Sequence, residues 1–156
     1  MQPYLICLDL DGTLLNDNKE ISSYTKQVLT ELQQRGHYIM IATGRPYRAS
    51  QIYYHELNMN TPVVNFNGAY VHHPKAQDFE TIHEVLDVEI SKNIITALQQ
   101  SHVTNIIAEV KDYVFINNHD PRLFEGFSMG NPKIQTGNLL AVSYTHLRAH
   151  ETRHDL

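Results

Sequence analysis

The chain has 156 residues, a formal net charge of -5 at pH 7 and a pI near 6.0. This is the size of one ordinary domain. The net negative charge gives no indication of the positively charged surface that binds a nucleic-acid backbone. A composition that is 42% hydrophobic and 19% charged supports a packed core and excludes a disordered chain.

The first apolar run is interrupted by Asp9, so it predicts neither a signal peptide nor a membrane span. Cys7 is the one cysteine of the chain, which excludes an intramolecular disulfide and a cysteine-based metal cage. We therefore expect a cytoplasmic protein that binds neither nucleic acid nor a membrane.

The first half of the sequence alternates between predicted strands and helices. The pattern predicts a strand at residues 3–10, a helix at 22–35, a strand at 37–42, a helix from Pro46 to about Leu57, and a strand beginning at 62–65. This alternation is typical of an α/β fold with a doubly wound, Rossmann-like parallel sheet. Ligands bind such sheets beyond the carboxyl ends of the strands, where Asp9, Thr43 and Asn67 all stand.

Asn67 and Gly68, which follow the third predicted strand, predict a turn that brings the chain back as a hairpin. After residue 81 the pattern changes. Residues 88–101 have the spacing of an amphipathic helix, and residues 105–110 and 113–116 predict a second hairpin. Helix followed by antiparallel strands indicates a second, α+β unit.

The last fifteen residues, 142–156, are predicted to be foreign. Residues 143–152, SYTHLRAHET, resemble the translation of an adapter used in transposase-based sequencing libraries. These residues are therefore excluded from fold prediction, and the regularly spaced His146, His150 and His154 are not interpreted as metal ligands. The natural sequence is expected to be longer and to differ after residue 141.

Two carboxylates, Asp9 and Asp11, follow the first predicted strand in the segment DLDGTLL. Like charges this close repel each other unless a divalent cation neutralises them, and hard oxygen ligands suit Mg²⁺. An ionised Asp9 can attack phosphorus to form an aspartyl phosphate, while Asp11 can protonate the leaving alkoxide and later deprotonate water. A plain turn that caps a helix stays open as an alternative, whereas Leu14 stands where a calcium loop needs glycine.

Three segments carry a resemblance to the haloacid dehalogenase superfamily. DLDGTLL resembles its first motif, with Asp9 as nucleophile and Asp11 as general acid/base. Residues 42–45, ATGR, are similar to its second motif, and residues 66–71, FNGAYV, resemble the Cof-type (class IIB) phosphatases. The resemblance implies hydrolysis of small phosphorylated metabolites, such as sugar or cofactor phosphates, with Mg²⁺ held by the Asp9 carboxylate and the Asp11 carbonyl oxygen.

The same resemblance implies further contacts with phosphate or substrate. The amides of Leu10 and Gly44 and the Thr43 hydroxyl would hold phosphoryl oxygens. Asn67 would lie near the substrate or simply form a turn. Arg45 would clamp an anionic substrate or lie on the surface at a helix N-terminus.

The family pattern also implies the domain boundaries and the motifs that are missing from this chain. Residues 1–82 would be the N-terminal half of the α/β hydrolase core, 83–141 a partial α+β cap, and 142–156 a non-native tail. The lysine of the third motif and the acidic pair of the fourth are not identified in this chain, so we expect a truncated, inactive fragment. A phosphomutase or phosphotransferase of the superfamily and a non-catalytic, receiver-like phospho-acceptor stay open as alternatives.

Overall fold

A computed structural model describes residues 2–141 and divides the chain into two compact units between Glu84 and Val85. The first unit is a mixed α/β structure with parallel strand pairing, which confirms the predicted fold class. The tail predicted to be foreign, with its three histidines, lies outside the described residues. That the two units are a hydrolase core and a cap, divided near residue 82, stays a prediction.

The first unit contains the predicted strands and helices, each slightly shorter than the sequence pattern, together with a short strand at Ile82–His83 that the pattern did not predict. In chain order they are β1 (Leu5–Leu8), α1 (Ser23–Gln34), β2 (Tyr38–Ile41), α2 (Tyr47–Glu56), β3 (Val63–Asn65), β4 (Tyr70–His72) and β5 (Ile82–His83). β1 pairs in parallel with β2, and a bridge from Ala42 to Val64 continues the parallel alignment to β3. β3, β4 and β5 then form an antiparallel sheet.

Short-range signals set the helix ends. The Ser22 hydroxyl accepts a hydrogen bond from the Thr25 amide at 3.1 Å, so Ser22 is the predicted N-cap of α1. Gly36, with a φ of 88°, follows the end of the same helix. Pro46, predicted as the first residue of α2, is instead the extended residue before it, with a ψ of 158°.

Between β1 and α1, the residues after Asp9 form one irregular turn. The Leu14 amide donates to the Asp9 carbonyl at 3.2 Å, and the Leu15 amide donates to the Leu10 carbonyl at 2.9 Å. Gly12 takes a φ of 75°, which only glycine adopts at no steric cost. The side chain of Leu10 is fully buried in the core of the unit, so the core fixes the turn that carries the two aspartates.

The second unit begins with α3 (Val88–Gln99), whose first turn is capped by the Asp87 carboxylate. It continues with β6 (Ile107–Val110), β7 (Tyr113–Ile116), α4 (Pro121–Gly126) and β8 (Lys133–Thr136). β6 and β7 form the predicted antiparallel hairpin, whereas β7 and β8 pair in parallel across α4. The sequence pattern did not predict α4 or β8. Within residues 2–141 no helix has the length and apolarity needed to cross a membrane.

Leu10→Ala should destabilise the first unit far more than Leu5→Ala. Leu10 is 0% exposed in the turn after β1, whereas Leu5 is 59% exposed at the start of β1. Deleting a buried leucine leaves a cavity and costs about 2–5 kcal/mol of unfolding free energy, while an exposed site changes it by less than about 0.5 kcal/mol. Urea unfolding followed by far-UV circular dichroism measures both variants. Equal losses would mean that Leu10 does not anchor the turn.

Candidate active site

A cavity of about 660 Å³ lies at the carboxyl ends of β1 and β2 and beside the turn that follows β3. It is lined by Asp9, Asp11, Ala42, Thr43, Gly44, Arg45, Val64, Asn67 and Gly68. Of the seven residues predicted for the site, six therefore meet at one cavity. The seventh, Leu10, is absent from the lining, and its side chain points into the core. A phosphate contact through the Leu10 amide stays a prediction.

The carboxylate of Asp11 is bound by two cationic side chains. Arg45 donates through Nε to Oδ2 at 2.6 Å and through Nη2 to Oδ1 at 2.7 Å, which is the bidentate geometry of a strong ion pair. Lys19 Nζ donates to Oδ1 at 2.8 Å. The sequence pattern left two roles open for Arg45, a substrate clamp or a surface arginine. In the structure its guanidinium binds a carboxylate of the protein itself.

These contacts decide the charge of Asp11. Hydrogen bonds from Arg45 and then Lys19 hold the pKa of Asp11 far below its usual range, and the same ion pair raises the pKa of Arg45. From the sequence, a divalent cation was expected to neutralise the two aspartates. For Asp11, two side chains of the chain already supply positive charge. In this geometry Asp11 is a carboxylate that can accept a proton, and it must leave its partners before it can donate one.

Thr43 is held by its backbone and keeps its hydroxyl hydrogen free for a ligand. Its amide donates to the Val64 carbonyl at 3.0 Å, and its own carbonyl accepts from the Asn67 amide at 3.2 Å. The Arg45 amide donates to Thr43 Oγ1 at 3.2 Å. A hydroxyl has one donor and two acceptor positions, so the Thr43 hydrogen can still point to an anion in the cavity.

The turn of Asn67 and Gly68 closes the cavity against Gly44. Asn67 and Gly68 have φ of 55° and 102°, and the Ala69 amide donates to the Phe66 carbonyl at 3.1 Å. Positive φ at both central residues is the mark of a type I′ turn, which confirms the predicted turn. A Cβ on Gly44 would lie 2.9 Å from Asn67 Oδ1, so the Asn67 side chain keeps this position only because residue 44 is glycine.

Three residues that sequence reasoning missed organise the site. Lys19 and Tyr53 belong to the surroundings of Asp11 and Arg45. Asn65, the fully buried last residue of β3, donates through Nδ2 to the Arg45 carbonyl at 2.9 Å and to Ser50 Oγ at 3.0 Å. A polar residue at the end of an apolar run was a signal for Asn65. No comparable signal in the sequence shows that Lys19 and Tyr53 lie beside Asp11 and Arg45.

The oxygen ligands of the cavity suit Mg²⁺. Among the described residues there is no group of three or more His, Cys, Asp or Glu side chains that could hold a metal ion. Mg²⁺, however, is usually held by one or two carboxylates and completes its shell with waters and substrate phosphate. The Asp9 carboxylate, which lines the cavity, fits that requirement, whereas the Asp11 carboxylate is engaged with Arg45 and Lys19. A metal contact through the Asp11 carbonyl oxygen stays a prediction.

Comparison with known proteins places the fold and the motifs in one family. Residues 6–150 match the family described as haloacid dehalogenase-like hydrolase. The chain is 40% identical over 158 aligned residues to 5-amino-6-(5-phospho-D-ribitylamino)uracil phosphatase of Bacillus subtilis, covering 99% of this chain and 58% of that protein. The family match extends into residues 142–150, and the foreign origin of that tail stays a prediction.

Solved structures show the same fold. A haloacid dehalogenase-like hydrolase from Bacteroides thetaiotaomicron superposes with a TM-score of 0.74 at 27% identity, over 90% of this chain and 54% of that one. A subclass IIB sugar phosphatase of the superfamily superposes with a TM-score of 0.70 at 22% identity, over 92% of this chain and 55% of that one. The chain thus spans a little over half the length of these proteins.

Gly44→Ala should displace the Asn67 side chain while costing little stability. The added Cβ would lie 2.9 Å from Oδ1, and the free end of an asparagine side chain can rotate away. The side-chain amide resonances of Asn67 should therefore shift in a ¹⁵N NMR spectrum. Gly137→Ala is the control, because a Cβ there meets no atom within 4 Å. Unmoved Asn67 resonances in Gly44→Ala would contradict the close approach of the turn.

Proposed function

Because the chain belongs to the family of haloacid dehalogenase-like hydrolases, we propose that it carries the nucleophile and the phosphate-binding residues of a Mg²⁺-dependent phosphatase. The observation that supports this most strongly is the meeting of Asp9, Asp11, Thr43 and Asn67 at one cavity. They come from separate segments of the chain, yet together they supply a nucleophile, an acid/base group and hydrogen-bond donors for an anion.

The proposed reaction has two displacements at phosphorus. The Asp9 carboxylate attacks, the bond from phosphorus to the ester oxygen breaks, and the leaving alkoxide takes a proton from Asp11. Water then attacks the aspartyl phosphate and gives its proton to Asp11, which releases inorganic phosphate and regenerates Asp9. The Thr43 hydroxyl and the Gly44 amide hold the phosphoryl oxygens throughout. When bound, Mg²⁺ offsets the repulsion between the Asp9 carboxylate and the phosphate dianion.

Asp11 must change partners during this cycle. Its carboxylate is ionised while Arg45 and Lys19 bind it, so the protonated form requires these hydrogen bonds to loosen. An incoming phosphate dianion competes for the same guanidinium and ammonium groups. We infer that substrate binding loosens the hold on Asp11 and allows it to take up the proton that it later donates.

The substrate is proposed to be a small phosphate monoester. The Bacillus subtilis relative is named as a phosphatase of 5-amino-6-(5-phospho-D-ribitylamino)uracil, which makes this phosphate the first compound to test. A cavity of about 660 Å³ is within the usual range for small-molecule sites. A hexose 6-phosphate is the second compound, since sugar phosphates were expected from the family resemblance.

The alternatives differ in the fate of the phosphoryl group. A phosphomutase or phosphotransferase would pass it from Asp9 to a hydroxyl of a second molecule rather than to water. A receiver-like protein would keep it without turnover. Release of inorganic phosphate over many turnovers favours the hydrolase over both, and the 40% identity with a named phosphatase supports the same choice.

Asp9→Asn and Asp11→Asn should each abolish Mg²⁺-dependent phosphate release by the whole protein. The first change removes the nucleophile and the second removes the acid/base group, which typically contributes about 10²–10⁴-fold. The ribityl-aminouracil phosphate and a chromogenic phosphate ester are the substrates. Asp78→Asn, an exposed aspartate outside the cavity lining, is the matched control and should retain full activity.

Substantial turnover in Asp9→Asn would contradict the covalent route. Mass measurement of the purified variant is needed beside the assay, because deamidation of the new asparagine would restore the aspartate.

Thr43→Val should weaken binding of inorganic phosphate or vanadate and leave the fold intact. The variant loses one hydrogen bond to a charged ligand, which is worth about 1–3 kcal/mol. Calorimetry on the chain, in the presence of Mg²⁺, measures the change without requiring turnover. Thr61→Val is the control, since the Thr61 hydroxyl is buried and donates to the Ile39 carbonyl outside the cavity. Equal binding by both variants would exclude Thr43 from the phosphate site.

A further inference from the structure

We propose that Tyr53 is a positioning residue that holds both cationic partners of Asp11 in place. The inference rests on the proposed function, because it concerns the acid/base group of that reaction. Tyr53 lies on α2 and is nearly fully buried. Its hydroxyl donates to the Lys19 carbonyl at 2.9 Å, and its ring centroid lies 5.6 Å from Cζ of Arg45. One side chain therefore contacts both residues that bind Asp11.

The backbone of Lys19 needs this support. Lys19 has a φ of 61°, a left-handed conformation that is sterically unfavourable for a residue with a side chain. Its amide donates to the Asn16 carbonyl at 2.9 Å, and the Glu20 amide donates to Asn16 Oδ1 at 2.9 Å. These bonds close the loop on itself, whereas the Tyr53 hydroxyl ties the loop to α2. A glycine would adopt this φ more easily but would bring no ammonium group to Asp11.

Arg45 is held from its other side. Nη1 of its guanidinium donates to the Ala49 carbonyl at 3.3 Å, and the Tyr53 ring lies within the distance at which a cation is attracted to an aromatic face. The guanidinium thus contacts α2 as well as Asp11. Because the Lys19 carbonyl also accepts from Tyr53, both cations that bind the Asp11 carboxylate belong to residues that contact Tyr53.

The neighbouring residue supplies a closely matched control. Tyr54 is fully buried, its hydroxyl donates to the Thr61 carbonyl at 2.8 Å, and Lys75 Nζ lies 5.6 Å from its ring centroid. Tyr54 therefore makes the same two kinds of contact as Tyr53 from the next position of the same helix. It makes them away from the cavity, because neither Thr61 nor Lys75 lines it.

The test measures hydrogen exchange by NMR on the 156-residue chain, at the Lys19 amide and at Nε–H of Arg45. Tyr53→Phe removes the hydroxyl, which contacts both the Lys19 carbonyl and the Arg45 side chain, so it should speed exchange of the Lys19 amide by about two- to tenfold and also speed exchange at Arg45. Tyr53→Leu removes the ring as well and should speed exchange at Arg45 further, by about two- to fivefold over Tyr53→Phe. Tyr54→Phe and Tyr54→Leu should leave both signals at their wild-type rates, once any global loss of stability is subtracted through amides of β2.

Two results would overturn the proposal. Unchanged Lys19 exchange in Tyr53→Phe would show that the hydroxyl does not hold the loop. Equal acceleration by the Tyr53 and Tyr54 substitutions would show that the effect is a general loosening of α2. Both readouts are independent of turnover, so they stand apart from the proposed phosphatase. Full activity of Asp11→Asn would show that Asp11 is not the acid/base group of the reaction. The exchange results on Lys19 and Arg45 would still stand.

Discussion

The parallel alignment of β1, β2 and β3 is the constraint on which the site depends. Parallel strands end at the same edge of a sheet, and here polar residues of the candidate site follow each of the three strands. Asp9 follows β1, Thr43 follows the bridge at Ala42, and Asn67 lies in the turn after β3. Hydrogen bonds from Thr43 to Val64 and from Asn67 to Thr43 then join these segments. The cavity thus results from the geometry of the strands, and the side chains that line it are brought together by that geometry.

Electrostatics gives the two aspartates different environments. Asp11 is bound by Arg45 and Lys19, while Asp9 lines the cavity and is proposed to bind Mg²⁺ and attack phosphorus. A pair of carboxylates with unlike surroundings can divide nucleophilic and acid/base roles between them. Because the Asp11 side chain is 41% exposed, its ion pairs add little to stability, and their value lies in fixing position and charge.

Local patterns predicted most of the first unit and most of the cavity. Apolar runs, the Ser22 cap and the Asn67 turn depend on neighbouring residues, so sequence alone located them. The partners of Asp11 could not be located in this way, because Arg45 is 34 positions distant and meets it only when β1 and β2 align. Tyr53 and Lys19 are likewise separated by 34 positions. In the second unit, β8 was missed because its sequence, KIQT, has one apolar residue and pairs through its backbone.

The central claim is that Asp9 forms the bond to phosphorus, and the most direct test identifies the phosphorylated residue. The whole protein would be quenched in acid during turnover, and the acyl phosphate would be reduced with borohydride, which converts a phosphorylated aspartate to homoserine. Tandem mass spectrometry of the peptide that contains the first strand would then locate the change. Homoserine at position 9 is the predicted result. Homoserine at position 11, or an unmodified peptide during sustained phosphate release, would contradict the account.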